Sequence, residues 1–305
     1  MLRPEPAEAK LTPAHLDLFR ELCDLKRVHS ADRNGSIAAR LFAAGWSALL
    51  GPDDPRHAML RTVAAAMTAA RLGDLDLAKL TSLGLDRREA VAILERAFDE
   101  VAGPVDPALA ADLRAALPQG APAAEALPHF VTQLEQQPRA GVTSPGRARL
   151  MLVPAESHAE HSLAVAVAAA LAAPAYGGDS AAAFVAGMAH HLHNAAMPDS
   201  GYTGEMMLGD KLAQVTNAAR EQALGMLPPA LAATMRAAQA QIADDATPTA
   251  RAFHAADVID RVIEIEQHLK AARTSMDDVL HTYGLVHDGP VKTFHDGVLR
   301  DVGLL

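Results

Sequence analysis

Ala186-Gly187-Met188-Ala189-His190-His191-Leu192-His193-Asn194-Ala195 puts three histidines and an asparagine inside an otherwise small-residue, apolar run. Neutral imidazole is the commonest protein metal ligand and the usual carrier of protons near pH 7. A lone histidine on an apolar helix face is ordinarily a hydrogen-bonded core residue. Three together, with Glu160-His161 upstream and Asp257 downstream, form the kind of His/Asp/Glu cluster that marks a site.

The sequence around this stretch is helical in character. Half of the 305 residues are apolar, only 4% are aromatic, and alanine and leucine dominate. Both are strong helix formers, so the composition predicts an all-α protein. Leu16, Phe19, Leu22 and Leu25 recur at helical spacing after Thr12-Pro13, a good cap and first-turn pair. Further helices are expected over 36–50, 59–72, 74–83, 86–101, 107–117 and 123–136, most of them closed by Gly or Gly-Pro. Residues 137–146, rich in Pro, Gly and Ser, read as the start of a linker. Beyond it, helices are expected over 155–173, 180–194, 208–225, 228–244 and 249–273, with an irregular stretch at 197–204 and a polar, turn-rich tail. The expected organisation is an N-terminal helical domain over 1–137 for packing, dimerisation or a lid, a linker over 138–153, and a metal-binding domain over 154–305.

The formal charge of −10 argues against nucleic acid as the main partner, because binding phosphate backbones takes clustered Lys and Arg. Cys23 is the single cysteine, so no internal disulfide is possible. The N-terminal residues lack the apolar core of a signal peptide, and the longest apolar run, 163–175, is too short to span a bilayer. These features predict a cytoplasmic protein with no membrane partner.

All of the candidate chemistry falls after the linker. His158 and His161 are three apart, so they share a helix face. On a helix, His190 and His191 would point about 100° apart and meet only at an ion between them. Asp257 lies in a largely apolar helix, where a carboxylate needs a partner. An Asp–Arg pair involving Asp260 and Arg261 is the alternative there. His254, His281, His287 and His295 are spare histidines, each read as structural or solvated.

The order Glu160-His161-Ser162, then Ala186-Gly187-Met188-Ala189-His190-His191-Leu192, then Ala255-Ala256-Asp257-Val258-Ile259-Asp260 resembles the HD superfamily over about residues 154–269. These are all-helical, metal-dependent phosphohydrolases whose ligands are a His, a His-Asp doublet and a distant Asp. The nearest resemblance is to the HD-type deoxynucleoside 5′-monophosphatases, which carry a similar Ala-Glu-His-Ser entry. It implies an HD-type helical bundle preceded by a second helical domain, with His161, His190, His191 and Asp257 holding one divalent transition metal (Zn, Fe, Co, Ni or Mn). A second register would take His193-Asn194 as the doublet. The first keeps the apolar lead-in and brings Asp199 to the position of the family's later Asp.

This chain departs from that pattern at two positions. The doublet is His-His, which removes a hard anionic ligand and leans towards softer ions. Asn194 stands where the nucleotidase-like members have a catalytic Glu, and it can act neither as acid nor as base. In the implied mechanism Asp199 orients or deprotonates water, and His193 or the nearby cation Lys211 stabilises charge on the phosphate. His158, Asn194, Lys211 and Glu205 are the candidate substrate contacts, although Glu205 reads equally well as a helix-starting charge. The expected substrate is a small phosphorylated metabolite or nucleotide, and a homodimer is possible. The alternatives are an HD-type iron oxygenase, for which His193 and His254 are the only extra histidines available, and a degenerate HD domain that binds a ligand or partner.

Overall fold

The computed structural model describes residues 11–273 apart from 53, 125–126, 144 and 147–148. His281, His287, His295 and the turn-rich tail therefore lie outside the described residues. By compactness the chain divides into residues 1–263 and 264–305, and the first unit carries both the apolar core and the clustered histidines.

Helices α1 (Pro13–Asp24), α2 (Ile37–Leu50), α3 (Pro55–Leu72), α4 (Leu77–Ser82), α5 (Arg87–Val101), α6 (Pro107–Ala116) and α7 (His129–Gln136) make up the first half. A small antiparallel pair, β1 (His29–Ser30) with β2 (Arg33–Ser36), sits between α1 and α2. The second half runs α8 (His158–Tyr176), α9 (Ser180–Ala189), α10 (Gly201–Leu208), α11 (Leu212–Leu224), α12 (Pro229–Gln241) and α13 (Pro248–Arg273). The protein is all-α, as its composition predicts. Side-chain oxygens of Ser36, Asp54, Asp76, Asp86, Asp106, Ser157 and Asp179 accept N–H groups at seven helix starts. Each meets donors that the first helical turn leaves unpaired.

Helix α8 is the axis of the packing. Every residue from 161 to 173 is buried, which suits a helix that is apolar all round. It is long and apolar enough to cross a membrane by length and composition alone, and 78% of that stretch is buried inside the protein. Helix α9 lies along one side, with α2, α3 and α7 on the others. Small residues set the α8–α9 distance: a Cβ on Gly187 would stand 2.4 Å from Ala166 Cα and 2.7 Å from Ala166 N. One apolar cluster runs from Leu18 on α1 to Ile263 on α13 and includes Trp46, Phe42 and Phe130 of the first half. The N-terminal helices thus pack on the same core as the helices that carry the histidines.

Three local features differ from the sequence expectation. The β1–β2 pair is too short to give a period-two signal. Helix α10 begins inside the stretch 197–204 read as irregular and runs on to Leu208; Gly201 enters it at φ +68°, packed so closely on Thr143 that a Cβ would stand 2.6 Å from its Oγ1. Helix α9 stops at Ala189 instead of continuing to Asn194. The reason is local: His190 Nδ1 hydrogen-bonds to the Gly187 carbonyl at 2.6 Å, a helix-ending contact available to histidine. His191 then sits at φ −103°, ψ 18°, in the sparsely populated region where many active-site residues are found.

Candidate metal centre

Three imidazoles gather at this helix end. His161 rises from α8, and its ring centroid is 5.2 Å from that of His190 and 5.1 Å from that of His191. The rings of His190 and His191 are 4.1 Å apart. One ligand nitrogen from each can be chosen so that all three lie within 4.8 Å of one another. The break in the helix makes this possible, since adjacent positions on a continuous helix diverge.

Partners behind the rings fix their tautomers. The Asp260 carboxylate can only accept, so His161 donates through Nδ1 to Oδ2 at 2.7 Å, which leaves the Nε2 lone pair facing inward. His190 donates through Nδ1 to the Gly187 carbonyl and is likewise open at Nε2. His191 Nδ1 is 2.8 Å from Asn194 Oδ1, whose amide nitrogen is committed to the Met197 carbonyl. His191 Nε2 then accepts from Arg139 Nη1 at 3.3 Å. His161 and His190, each held at Nδ1 by an acceptor and free at Nε2, are in the usual state of metal-ligating histidines.

Asp257 completes the set. Its Oδ2 accepts from Arg261 at 2.7 Å, while Oδ1 faces His161 Nε2 at 3.3 Å. His161 Nε2, His190 Nε2 and Asp257 Oδ1 are all buried without a hydrogen-bond partner. Lone pairs opposed at that distance need a cation between them or a proton. A proton on His161 would leave His190 Nε2 unsatisfied, whereas one cation serves every atom. Two ligands bound about 2.1 Å from a tetrahedral ion stand about 3.4 Å apart, close to the observed spacing. The donor set therefore fits a divalent transition ion.

Burial and charge keep the donors in ligating form. Burial, with the neighbouring histidine His161, pushes His190 down to about 3. The same burial lowers His191 well below the ordinary histidine value. Asp257 stays ionised because His161, His190 and Arg261 outweigh the opposing effect of burial. Lys26 neutralises a second acidic group behind His161. Its Nζ lies 2.8 Å from Asp260 Oδ1 and 2.6 Å from Glu156 Oε2, and all three side chains are buried. Glu156, His161 and Asp260 are close enough to hold an ion of their own, but Lys26 already supplies the cation there. Cys23 donates Sγ–H to Asp260 at 3.1 Å, and burial raises its pKa well above the ordinary thiol value.

Further polar groups lie beside the rings. Asp199 accepts N–H groups from Ala140 at 2.9 Å and Gly201 at 2.8 Å, and its Oδ2 is 3.4 Å from His158 Nε2. Burial would raise the Asp199 pKa, but these donors hold it well below the usual carboxylate range. The ring of His158 is 4.7 Å from that of His191, and its pKa is lowered, chiefly by burial. His193 is 5.6 Å from His191 by ring centroids; burial, then the charge of Arg220, pushes it down to about 4.

The structure thus brings together His158, His161, His190, His191, His193, Asn194, Asp199 and Asp257. Lys211 is elsewhere: its side chain is 66% exposed and pairs with Asp210. Glu205 is half-buried on α10, with no described hydrogen bond to the cluster. Arg261 pairs with Asp257 rather than Asp260, so the Asp–Arg alternative forms with the other carboxylate. Sequence reasoning missed Lys26, Arg139, Glu156 and the role of Asp260. Lys26 lies 130 residues from Glu156 and 234 from Asp260, a separation that no local pattern encodes. Arg139 sits in the segment read as a linker, which pairs with the start of α8 through Arg139 N to Glu156 O at 2.9 Å and His158 N to Gln137 O at 3.0 Å.

Fold and site together define an all-α protein with a histidine–aspartate centre suited to a divalent metal. A family model for the HD domain matches residues 131–290, just over half of the chain. The chain belongs to the HD-domain family, whose members bind divalent metals and whose characteristic chemistry is metal-dependent phosphohydrolysis. No curated protein and no solved structure matches the chain.

Proposed function

We propose that this protein is a metal-dependent phosphohydrolase acting on a small phosphorylated metabolite or nucleotide, similar in its site residues to the HD-type deoxynucleoside 5′-monophosphatases. The observation that carries the reading is the convergence of His161 Nε2, His190 Nε2 and Asp257 Oδ1, buried and unpartnered, 3.3 Å apart in the His161–Asp257 pair. Two imidazoles open at Nε2 and one carboxylate, joined by His191 once Arg139 turns from its Nε2 to a phosphate, would leave a divalent ion with net positive charge, which favours a phosphate anion. The donor types favour Zn, Fe, Co or Ni over Mg.

An ion held there supplies Lewis-acid activation of a water and of a phosphoryl oxygen. The remaining work falls to side chains of this protein. Arg139, touching His191 and Glu156, places a guanidinium where phosphate oxygens take paired donors well. Asp199 is too acidic to be an effective base near pH 7. Its Oδ2 instead faces His158 Nε2 at 3.4 Å, where its charge favours the proton on Nε2 and an open lone pair on Nδ1. Both ring nitrogens of His158 are buried without a hydrogen bond, and a neutral ring is the form that can take a proton from water. His193, also neutral, offers a hydrogen bond to the phosphate. Asn194 holds the tautomer of His191 and carries no proton.

The test is metal analysis of the purified, tag-free protein and its His190→Ala variant, alongside phosphate release from a panel of phosphomonoesters. About one Zn, Fe, Co or Ni per chain, lost in the variant, together with phosphate release, supports the reading. No metal after reloading overturns it, as does bound metal with no release from any ester. Two irons per chain would replace it with oxidative chemistry.

A further inference from the structure

His191 is held differently from the other two imidazoles of the centre. His161 and His190 keep Nε2 unpartnered, but His191 Nε2 lies 3.3 Å from Arg139 Nη1. Asn194 takes the Nδ1 proton at 2.8 Å, so Nε2 carries the lone pair of the ring. A guanidinium only donates, and a nitrogen lone pair serves one partner at a time. While Arg139 holds it, His191 cannot ligate an ion, although its ring stands 4.1 Å from that of His190.

Arg139 is placed to let go. Its Nε pairs with Glu156 Oε1 at 3.3 Å, and its backbone N–H donates to the Glu156 carbonyl at 2.9 Å. The base of the side chain is thus tethered while its end can turn. Nη2 has no hydrogen bond among the described residues, and the side chain is 20% exposed. His190 and His191 are only partly buried, so an anion has a way to this corner of the centre. A neutral imidazole offers the guanidinium one uncharged acceptor, whereas a phosphate offers two anionic oxygens at the spacing of the fork. Exchanging the first for the second strengthens the arginine's bonds and returns the lone pair to His191.

We propose that Arg139 is a substrate-operated switch on the metal centre. In the resting protein it blocks His191, and the ion is held by His161, His190 and Asp257 alone. A phosphate group that draws the guanidinium away makes His191 the fourth ligand. Metal and phosphate therefore bind cooperatively through one side chain, each tightening the other by the same factor. The proposal deepens the phosphohydrolase reading and rests on its metal site.

The test measures Zn affinity by competition with a chromogenic chelator, with and without inorganic phosphate. The proteins are the wild type, His191→Ala, Arg139→Met and the double variant. Without phosphate, His191→Ala should weaken Zn binding by less than about threefold, and with saturating phosphate by about tenfold or more. In the Arg139→Met background it should cost about tenfold even without phosphate, because the lone pair is already open. Comparing His191→Ala within each background cancels the lost charge of Arg139, which by itself raises metal affinity. Should the alanine variants not fold, His191→Phe keeps a ring, removes both nitrogens and repeats the comparison. Equal losses in all three settings make His191 a permanent ligand, and no loss in any setting makes it no ligand. Either result overturns the switch and leaves the hydrolase reading standing, as does phosphate that fails to tighten Zn in the wild type. The expected losses without phosphate release from any ester keep the switch and remove hydrolysis. No Zn binding by the wild type removes both.

Discussion

His161 shows how one residue depends on groups far from it in sequence. Asp260 fixes its tautomer, and Lys26 makes a buried Asp260 tolerable beside Glu156. Two buried carboxylates without their lysine are uncompensated charges, and breaking a buried pair costs roughly 3–5 kcal/mol. Lys26→Met should lower unfolding stability by about that amount in urea titrations, and adding Glu156→Gln should recover part of it. Asp260→Asn keeps the shape but weakens the hold on His161 Nδ1–H. It should reduce metal affinity by about 10–100-fold, the usual cost of losing a partner behind a ligating histidine, as read by competition with a chromogenic chelator. Unchanged affinity in that competition would contradict His161 as a ligand held by Asp260.

At the scale of the element, the contact between α8 and α9 governs the centre, because His161 and His190 sit on opposite sides of it. Alanine is a better helix former than glycine by about 1 kcal/mol, so propensity alone predicts that Gly187→Ala stabilises α9. Backbone atoms of Ala166 occupy the space that the new Cβ would need. We therefore expect a net loss of about 1–3 kcal/mol from overpacking, with weaker metal binding as His190 moves away from His161. Thermal denaturation of the metal-free variant checks the sign, and an increase in stability would refute it. Ser157 caps α8 directly before His158, accepting from Glu160 N. Ser157→Ala should cost about 1 kcal/mol, measured in the same way, without changing the donor set.

For the whole molecule, the titrating groups predict one direction of pH dependence in the metal-free protein. His190 and His193 are held near 3 and 4 in the fold, against about 6.5 when unfolded. A histidine depressed in this way adds stability that is complete above about pH 6.5 and is lost as pH falls towards the folded value, because the unfolded chain binds the extra proton. Between pH 7 and pH 5 each ring should therefore withdraw about 2 kcal/mol. Below that, Asp199, Asp257 and Asp260, whose folded values lie well under the ordinary carboxylate range, withdraw more as the unfolded chain protonates. Chemical denaturation at pH 7 and pH 5 in the presence of chelator measures this, and equal stability at the two values would refute it.

The sequence by itself determined the helical class, most helix positions and the histidine-rich stretch, because propensity, caps and apolar period act within a few residues. It also singled out His161, His190, His191, Asp199 and Asp257, since polar groups in apolar runs stand out locally. Only the tertiary structure decided the rest. The end of α9 at Ala189 depends on a side-chain bond from His190 to Gly187, which the helical pattern does not show. Lys26, Arg139 and Glu156 join the centre through contacts across the fold, where nothing in the spacing of the chain records the charge each must balance. Which atoms of the cluster stay open, and which are already taken, is a property of packed geometry, and it is those open atoms that give the centre its chemistry.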